Sequence, residues 1–165
     1  MKSIFSVGYG SKKREEKILQ YLEEDYIVAV ILAAIHFEWM LKRTILKLSK
    51  SPTKKLKKTL ENIFQIASSS NKITLQKVWI KEVANEYKNA SLGQVLPNFT
   101  SIKDKAKDIR GFLVHGNGLT KKSDTKSTIN EYLRATQKLR EFALKNGQDL
   151  DKRLSARIKE DHYLS

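Results

Sequence analysis

The segment from Tyr26 to Leu48 constrains the fold of this chain most strongly. It opens with an unbroken apolar run, Ile27 to Ile35, and stays largely apolar to its end. A helix that is apolar nearly all round is stable only when other elements cover it, so the sequence predicts a central buried helix. The run is shorter than the ~20 apolar residues that cross a bilayer, and His36 and Glu38 follow it. We therefore expect no membrane partner.

The rest of the chain favours helices as well. Two prolines and seven glycines are its only strong helix breakers, and apolar residues recur at helical spacing. We expect an all-α single domain over residues 1–165, an up-and-down bundle of roughly five to six helices with a break near Asp25. Residues 1–11 are a candidate flexible terminus. Residues 119–128 are predicted to form a polar loop, and the helix that follows is predicted to end at Asn146 and Gly147. Residues 149–165 are predicted to form a short, charged C-terminal helix.

The composition indicates a polyanionic partner. The chain carries 32 Lys and Arg against 18 Asp and Glu, a net charge of +14. RNA and DNA are the first candidates for such an excess, although charge runs are often only solvated faces. The absence of cysteine excludes disulfides and thiolate metal sites and is typical of a reducing cytoplasm. The three histidines are dispersed, so we expect no metal. The sequence contains no Gly-rich phosphate-binding loop, and we expect no cofactor.

The block from Arg110 to Asn117 carries the clearest chemical pattern. It places a permanent cation, Arg110, five residues before His115, a group that titrates near neutral pH, in apolar surroundings. An arginine neutralises a phosphate and a histidine moves a proton, which together suffice to cleave RNA without a metal. Gly111 lies one turn before His115 and leaves a hollow where a substrate fits.

Helix geometry leaves the relation between these two side chains open. In a regular helix His115 lies about 140° round from Arg110 and ~7.5 Å along the axis. A distortion near Gly116, the length of the arginine, or sharing of the site across a dimer each closes this gap. A histidine in the last turn before a glycine also complements the helix dipole, which requires no function.

The Arg110-x4-His115 block, followed by Gly116 late in a small all-α chain, resembles the HEPN superfamily. The apolar helix with Glu38 inside it resembles the buried helix of that family, which often carries an acidic residue. Gly111 stands where the family usually has a polar residue, and Asn117 where some members have a tyrosine.

The resemblance implies a metal-independent endoribonuclease that acts as a homodimer with a composite active site, in a toxin–antitoxin or antiviral setting. An antitoxin protein is then a candidate partner besides RNA. His115 is the expected general acid and base, Arg110 stabilises the phosphate, and Asn117, Gly111 and Glu38 are candidates to support them. The residues expected to attract the RNA backbone are Lys103, Lys107, Lys121 and Lys122.

Two other functions remain open. Gly111 favours a catalytically inactive HEPN-like module that binds RNA or a nucleotide, or only dimerises. An unrelated basic helical DNA-binding or adaptor protein is the third alternative. The second Arg-x4-His pattern, Arg157 to His162, lies among charges near the C-terminus, and we interpret it as chance.

Overall fold

A computed structural model describes residues 10–64, 75–102, 104–105, 108–109 and 122–158. Its helices are α1 (Ser11–Glu24), α2 (Tyr26–Leu48), α3 (Thr53–Phe64), α4 (Leu75–Trp79), α5 (Leu92–Val95) and α6 (Lys122–Lys145). A π-helical turn, Ile80–Ala84, continues α4, and residues 99–102, 104–105 and 108–109 are helical too. These ranges contain no strand, so the predicted all-α bundle is confirmed.

Asp25 separates the first two helices at the predicted break. Its extended backbone (φ −152°) ends α1, and its amide donates to the carbonyl of Tyr21 at 2.6 Å. Its carboxylate accepts from the amides of Ile27 at 3.0 Å and Val28 at 3.2 Å, which caps α2. Such a cap stabilises a helix by about 1 kcal/mol. The single-residue link makes α1 and α2 a helical hairpin.

Helix α2 is the central buried helix that its composition predicts. Its most extensive interfaces within the described part of the chain are with α6 and α1. The Phe37 ring packs against Tyr132 of α6, with 5.6 Å between the centroids. The fully buried side chains at the centre of the core come from several helices and include Met40, Leu41, Ile45, Trp79, Ile129, Tyr132 and Leu139.

Helix α6 begins earlier than the sequence predicts. The polar residues 122–128 belong to the helix instead of the predicted loop. Thr125 is buried one turn before the buried Ile129, so this polar stretch continues the core-facing stripe of the helix. At the other end Gly147 (φ 77°) donates to Leu144 at 3.0 Å, and Gln148 donates to Ala143 at 2.8 Å. This is a Schellman motif, which ends α6 where the sequence predicts.

Residues 149–158, which we term the C-terminal strap, form a turn and then chain without regular secondary structure. The predicted C-terminal helix is wrong over this range, and residues 159–165 lie outside the described part. The side chain of Arg43 donates to the carbonyls of Leu150 and Lys152, and Lys47 donates to that of Arg153 at 2.8 Å. Because these carbonyls bond to cations of α2 rather than to amides of a following turn, the strap is not helical.

The start of α1 also differs from the prediction of a flexible terminus through residue 11. Ser11 is fully buried, and its amide and hydroxyl donate to the two carboxylate oxygens of Asp151 at 2.8 and 3.0 Å. The strap therefore holds the first turn of α1. Residues 1–9 are not among the described residues.

Candidate functional site

Most of the predicted site falls outside the residues that the structure describes. This applies to Arg110, Gly111, His115 and Asn117, and to the lysines at 103, 107 and 121. Lys122 is the first residue of α6. The geometry of the predicted Arg–His pair therefore remains a prediction. The structure describes residues that precede and follow this block in the chain.

The residues just before Arg110 and just after Lys122 line the same cleft. Ile109 is buried at 4% exposure, and it lies seven positions after Ile102, which is buried at 3%. The cleft has a volume of about 360 Å³ between α2, the helical residues before Arg110 and the start of α6. Its lining residues are Val30, Lys105, Asp108, Ile109, Asp124, Thr125, Ser127 and Thr128.

The chemistry of this cleft wall is mixed. Lys105 forms an ion pair with Glu131 of α6, with 2.7 Å between Nζ and Oε1, which ties the helical residues before Arg110 to α6. Asp108 and Asp124 are exposed, and the hydroxyl of Thr128 donates to the carbonyl of Asp124 at 2.9 Å. The wall thus offers hydroxyl and carboxylate groups beside a buried isoleucine.

Glu38, the predicted supporting carboxylate, lies in the middle of α2 and is partly buried. Its role beside Arg110 or His115 is untested, because those residues are outside the described ranges. Its neighbour His36 is fully buried and makes a polar contact that the sequence did not predict.

A buried ion network joins α1, α2 and α6. Its members are Glu15, His36, Thr136 and Arg140. One carboxylate oxygen of Glu15 lies 3.2 Å from His36 Nε2 and accepts from Arg140 Nη2 at 2.6 Å. The hydroxyl of Thr136 lies 3.3 Å from the same oxygen. A single carboxylate oxygen therefore connects three helices.

The network holds Glu15 in its charged form. Burial opposes ionisation, but the hydrogen bonds from His36 and Arg140 outweigh it and keep the pKa of Glu15 below its ordinary value. His36 Nδ1 and Arg140 Nε are buried with no hydrogen-bond partner in the described part of the chain. With His36 at 0% exposure, the network is positioned to fix helix packing and not to meet a substrate.

Sequence reasoning missed Glu15 and Arg140 in this role, although a signal was present. Glu15 shares its helical face with Ser11, Ile18 and Leu22, which are all buried. Arg140 follows the buried Leu139 on the core side of α6. A charged residue on a core-facing stripe predicts a buried partner of opposite charge.

The second Arg-x4-His pattern has a structural arginine. The guanidinium of Arg157 donates to the carbonyls of Leu46 at 2.7 Å and Ser51 at 3.1 Å. Its amide donates to the hydroxyl of Thr53 at 3.1 Å. Arg157 therefore caps the end of α2 and holds the strap, which supports its interpretation as a chance match. His162 is not among the described residues.

Comparison with known proteins adds no relative: no family model, curated protein or solved structure matches the chain. Within the described ranges, no group of three or more His, Cys, Asp or Glu side chains is arranged to hold a metal ion. The helices described here also lack the combination of length and apolar character that a membrane crossing requires.

Proposed function

We propose that this protein is a metal-independent endoribonuclease of the HEPN type, with Arg110 and His115 as its catalytic residues. The observation that carries the proposal is the Arg110-x4-His115 block in an all-α chain with a net charge of +14. The central buried helix α2 and the cleft that begins at Ile109 support it.

The proposed reaction needs no group from outside the protein and its RNA. The 2′-oxygen of a ribose attacks the adjacent phosphorus, and the bond from phosphorus to the 5′-oxygen breaks. His115 accepts the proton of the 2′-hydroxyl or returns one to the departing 5′-oxygen. Arg110 holds the phosphate through its planar fork and stabilises the extra charge of the pentavalent intermediate.

A homodimer completes this mechanism. One histidine cannot readily remove one proton and donate another at the same moment. A two-fold axis brings two copies of His115 and Arg110 to one cleft, so that each copy has one task. We propose RNA as the partner because the ribose 2′-hydroxyl is the nucleophile of this reaction.

A second candidate is an inactive RNA-binding module of the same family type. Gly111 favours it, because a polar residue is usual at this position in the family that the chain resembles. Binding of RNA that persists in the His115→Ala variant, without cleavage by the natural protein, identifies this module.

Cleavage of a mixed RNA pool in excess EDTA tests the proposal. The natural protein should cut, and His115→Ala should cut about 10²- to 10⁴-fold more slowly, the usual contribution of a positioned acid or base. Arg110→Ala should show a loss of similar order. Circular dichroism and thermal melting confirm that each variant is folded.

The chain supplies a matched control for this experiment. His162 also follows an arginine at the same spacing, but Arg157 already bonds to carbonyls at the end of α2. His162→Ala should therefore cleave at the natural rate. Equal losses in His115→Ala and His162→Ala, or no loss in either, contradict the assignment of the active site.

A further inference from the structure

Five cationic side chains gather where the C-terminal strap crosses α2, and we term this surface the basic face. It consists of Arg14 of α1, Arg43 and Lys47 of α2, and Lys152 and Arg157 of the strap. None of these residues belongs to the proposed active site, and sequence analysis did not assign them as a group.

The side chains follow one another across the surface. The guanidinium carbons of Arg14 and Arg43 lie 4.3 and 5.2 Å from the centre of the Trp39 ring. Arg43 and Lys47 are one helical turn apart, a separation of about 5–6 Å between side-chain origins. Lys152 is exposed beside them on the strap. A row of cations at such intervals fits a polymer with a charge on each unit better than a single compact anion.

Three cations of this row bond to neutral backbone groups. Arg43, Lys47 and Arg157 donate to backbone carbonyls, which satisfy N–H groups but carry no net charge. The cations also act on one another. Burial lowers the pKa of Lys47 first, and the nearby Arg43, Lys152 and Arg157 lower it further, against the opposing effect of Asp149.

Asp149, Asp151 and Glu82 are carboxylates of the described residues that act on the basic face. Asp149 and Asp151 both favour the charged form of Arg43. Both oxygens of Asp151 also accept from Ser11, at 2.8 and 3.0 Å, so this carboxylate is engaged in holding α1. Glu82, which faces Arg157, is buried and accepts from Ser49 at 2.6 Å.

We propose that the basic face binds the phosphate backbone of RNA and forms a second contact surface, made of residues other than the proposed catalytic Arg110 and His115. This inference rests on RNA as the partner in the proposed function, but it does not depend on cleavage. Trp39 is covered by two guanidinium groups, so it is not free to insert into a lipid surface, which favours a nucleic-acid backbone over a membrane. Contacts of this kind attract RNA without reading its sequence.

Salt-dependent binding of a fluorescent single-stranded RNA tests the basic face. The His115→Ala chain is used, so that cleavage does not interfere, and Lys47→Gln with Lys152→Gln is compared with it. Each lost phosphate contact on a single strand lowers the slope of log K against log salt by ~0.7, so the double variant should be shallower by about 1.4. Its affinity at low salt should fall roughly five- to tenfold.

A matched variant separates the basic face from net charge. Lys88→Gln with Lys138→Gln removes the same charge from two exposed lysines outside the basic face. Its slope should stay within about half a unit of that of the parent. Equal losses in the two double variants overturn the proposal. If Lys47→Gln/Lys152→Gln loses binding to anionic lipid vesicles while its RNA binding is unchanged, the proposal is overturned in favour of a membrane.

The two proposals fail separately. If the natural chain cleaves RNA but Lys47→Gln/Lys152→Gln binds RNA as tightly as its parent, the proposal for the basic face is overturned and the nuclease proposal stands. If this variant binds RNA more weakly but the natural chain cleaves no RNA, the proposal for the basic face is supported and the nuclease proposal is overturned.

Discussion

The buried ion network and the basic face differ in the groups to which their basic side chains bond. In the network, Arg140 and His36 share the carboxylate of Glu15, whose hydrogen bonds to them keep its pKa low. On the basic face, Arg43 and Lys47 bond to carbonyls of the strap and keep their net charge. The first arrangement fixes the packing of three helices. The second bonds cations to neutral carbonyls, and we propose that its remaining charge attracts RNA, so a count of basic residues alone does not locate a binding surface.

Removing the network's carboxylate should have the largest effect on stability. Glu15→Gln keeps the shape of the side chain but leaves Arg140 without its counter-charge and removes the carboxylate that contacts His36. Breaking a buried pair costs up to 3–5 kcal/mol, and partial exposure of Glu15 reduces this to about 2–3 kcal/mol. Urea unfolding of the natural chain and the variant measures the difference.

Glu23, exposed on the same helix, provides the matched substitution. Glu23→Gln should change the free energy of unfolding by less than ~0.5 kcal/mol. If Glu15→Gln is equally mild, the network does not stabilise the helix packing, and the contrast with the basic face disappears.

Loss of the strap's arginine should have an intermediate effect. Arg157→Met removes two hydrogen bonds, to Leu46 and Ser51, at the end of α2. Because the acceptors are neutral carbonyls, we expect a loss of about 1–2 kcal/mol, less than for Glu15→Gln. Arg153→Met, at an exposed strap position, should be nearly neutral in the same unfolding experiment. A larger loss for Arg157→Met than for Glu15→Gln reverses the comparison.

Acid should reduce the advantage of Glu15 by no more than the full effect of Glu15→Gln. The folded-state pKa of Glu15 lies below its ordinary value, so its contribution is present above that value and is lost as the pH falls through the lowered pKa. The stability gap between the natural chain and Glu15→Gln should therefore be full at pH 7 and shrink below about pH 4. Unfolding curves at pH 7, 5 and 3 measure the gap. A constant gap at all three values indicates that its cause is not the charge of Glu15.

The sequence predicted the elements whose signals are local. The apolar run placed α2, Asp25 marked the break before it, and Asn146 with Gly147 marked the end of α6. Hydrophobic periodicity and capping residues act within a few positions, so they can be found without knowledge of the fold. The all-α class follows from the same kind of evidence.

The contacts that local patterns missed join distant parts of the chain. Residues 149–158 have a helix-compatible composition, but their carbonyls bond to Arg43 and Lys47, over 100 positions away. Glu15 meets Arg140 across 125 positions. No short window contains both partners, so spacing can mark Glu15 and Arg140 as charged residues on core-facing stripes but cannot pair them, and it cannot predict the strap. The predicted pair Arg110 and His115 remains a prediction from sequence.

The chemical form of the RNA ends tests the central claim most directly. The natural chain is incubated with a defined RNA in excess EDTA, and the two ends at each cut are identified by mass spectrometry. Attack by the 2′-oxygen predicts a 2′,3′-cyclic phosphate on one fragment and a 5′-hydroxyl on the other. A 3′-hydroxyl with a 5′-phosphate, or cleavage that requires added divalent metal, contradicts the proposed roles of Arg110 and His115.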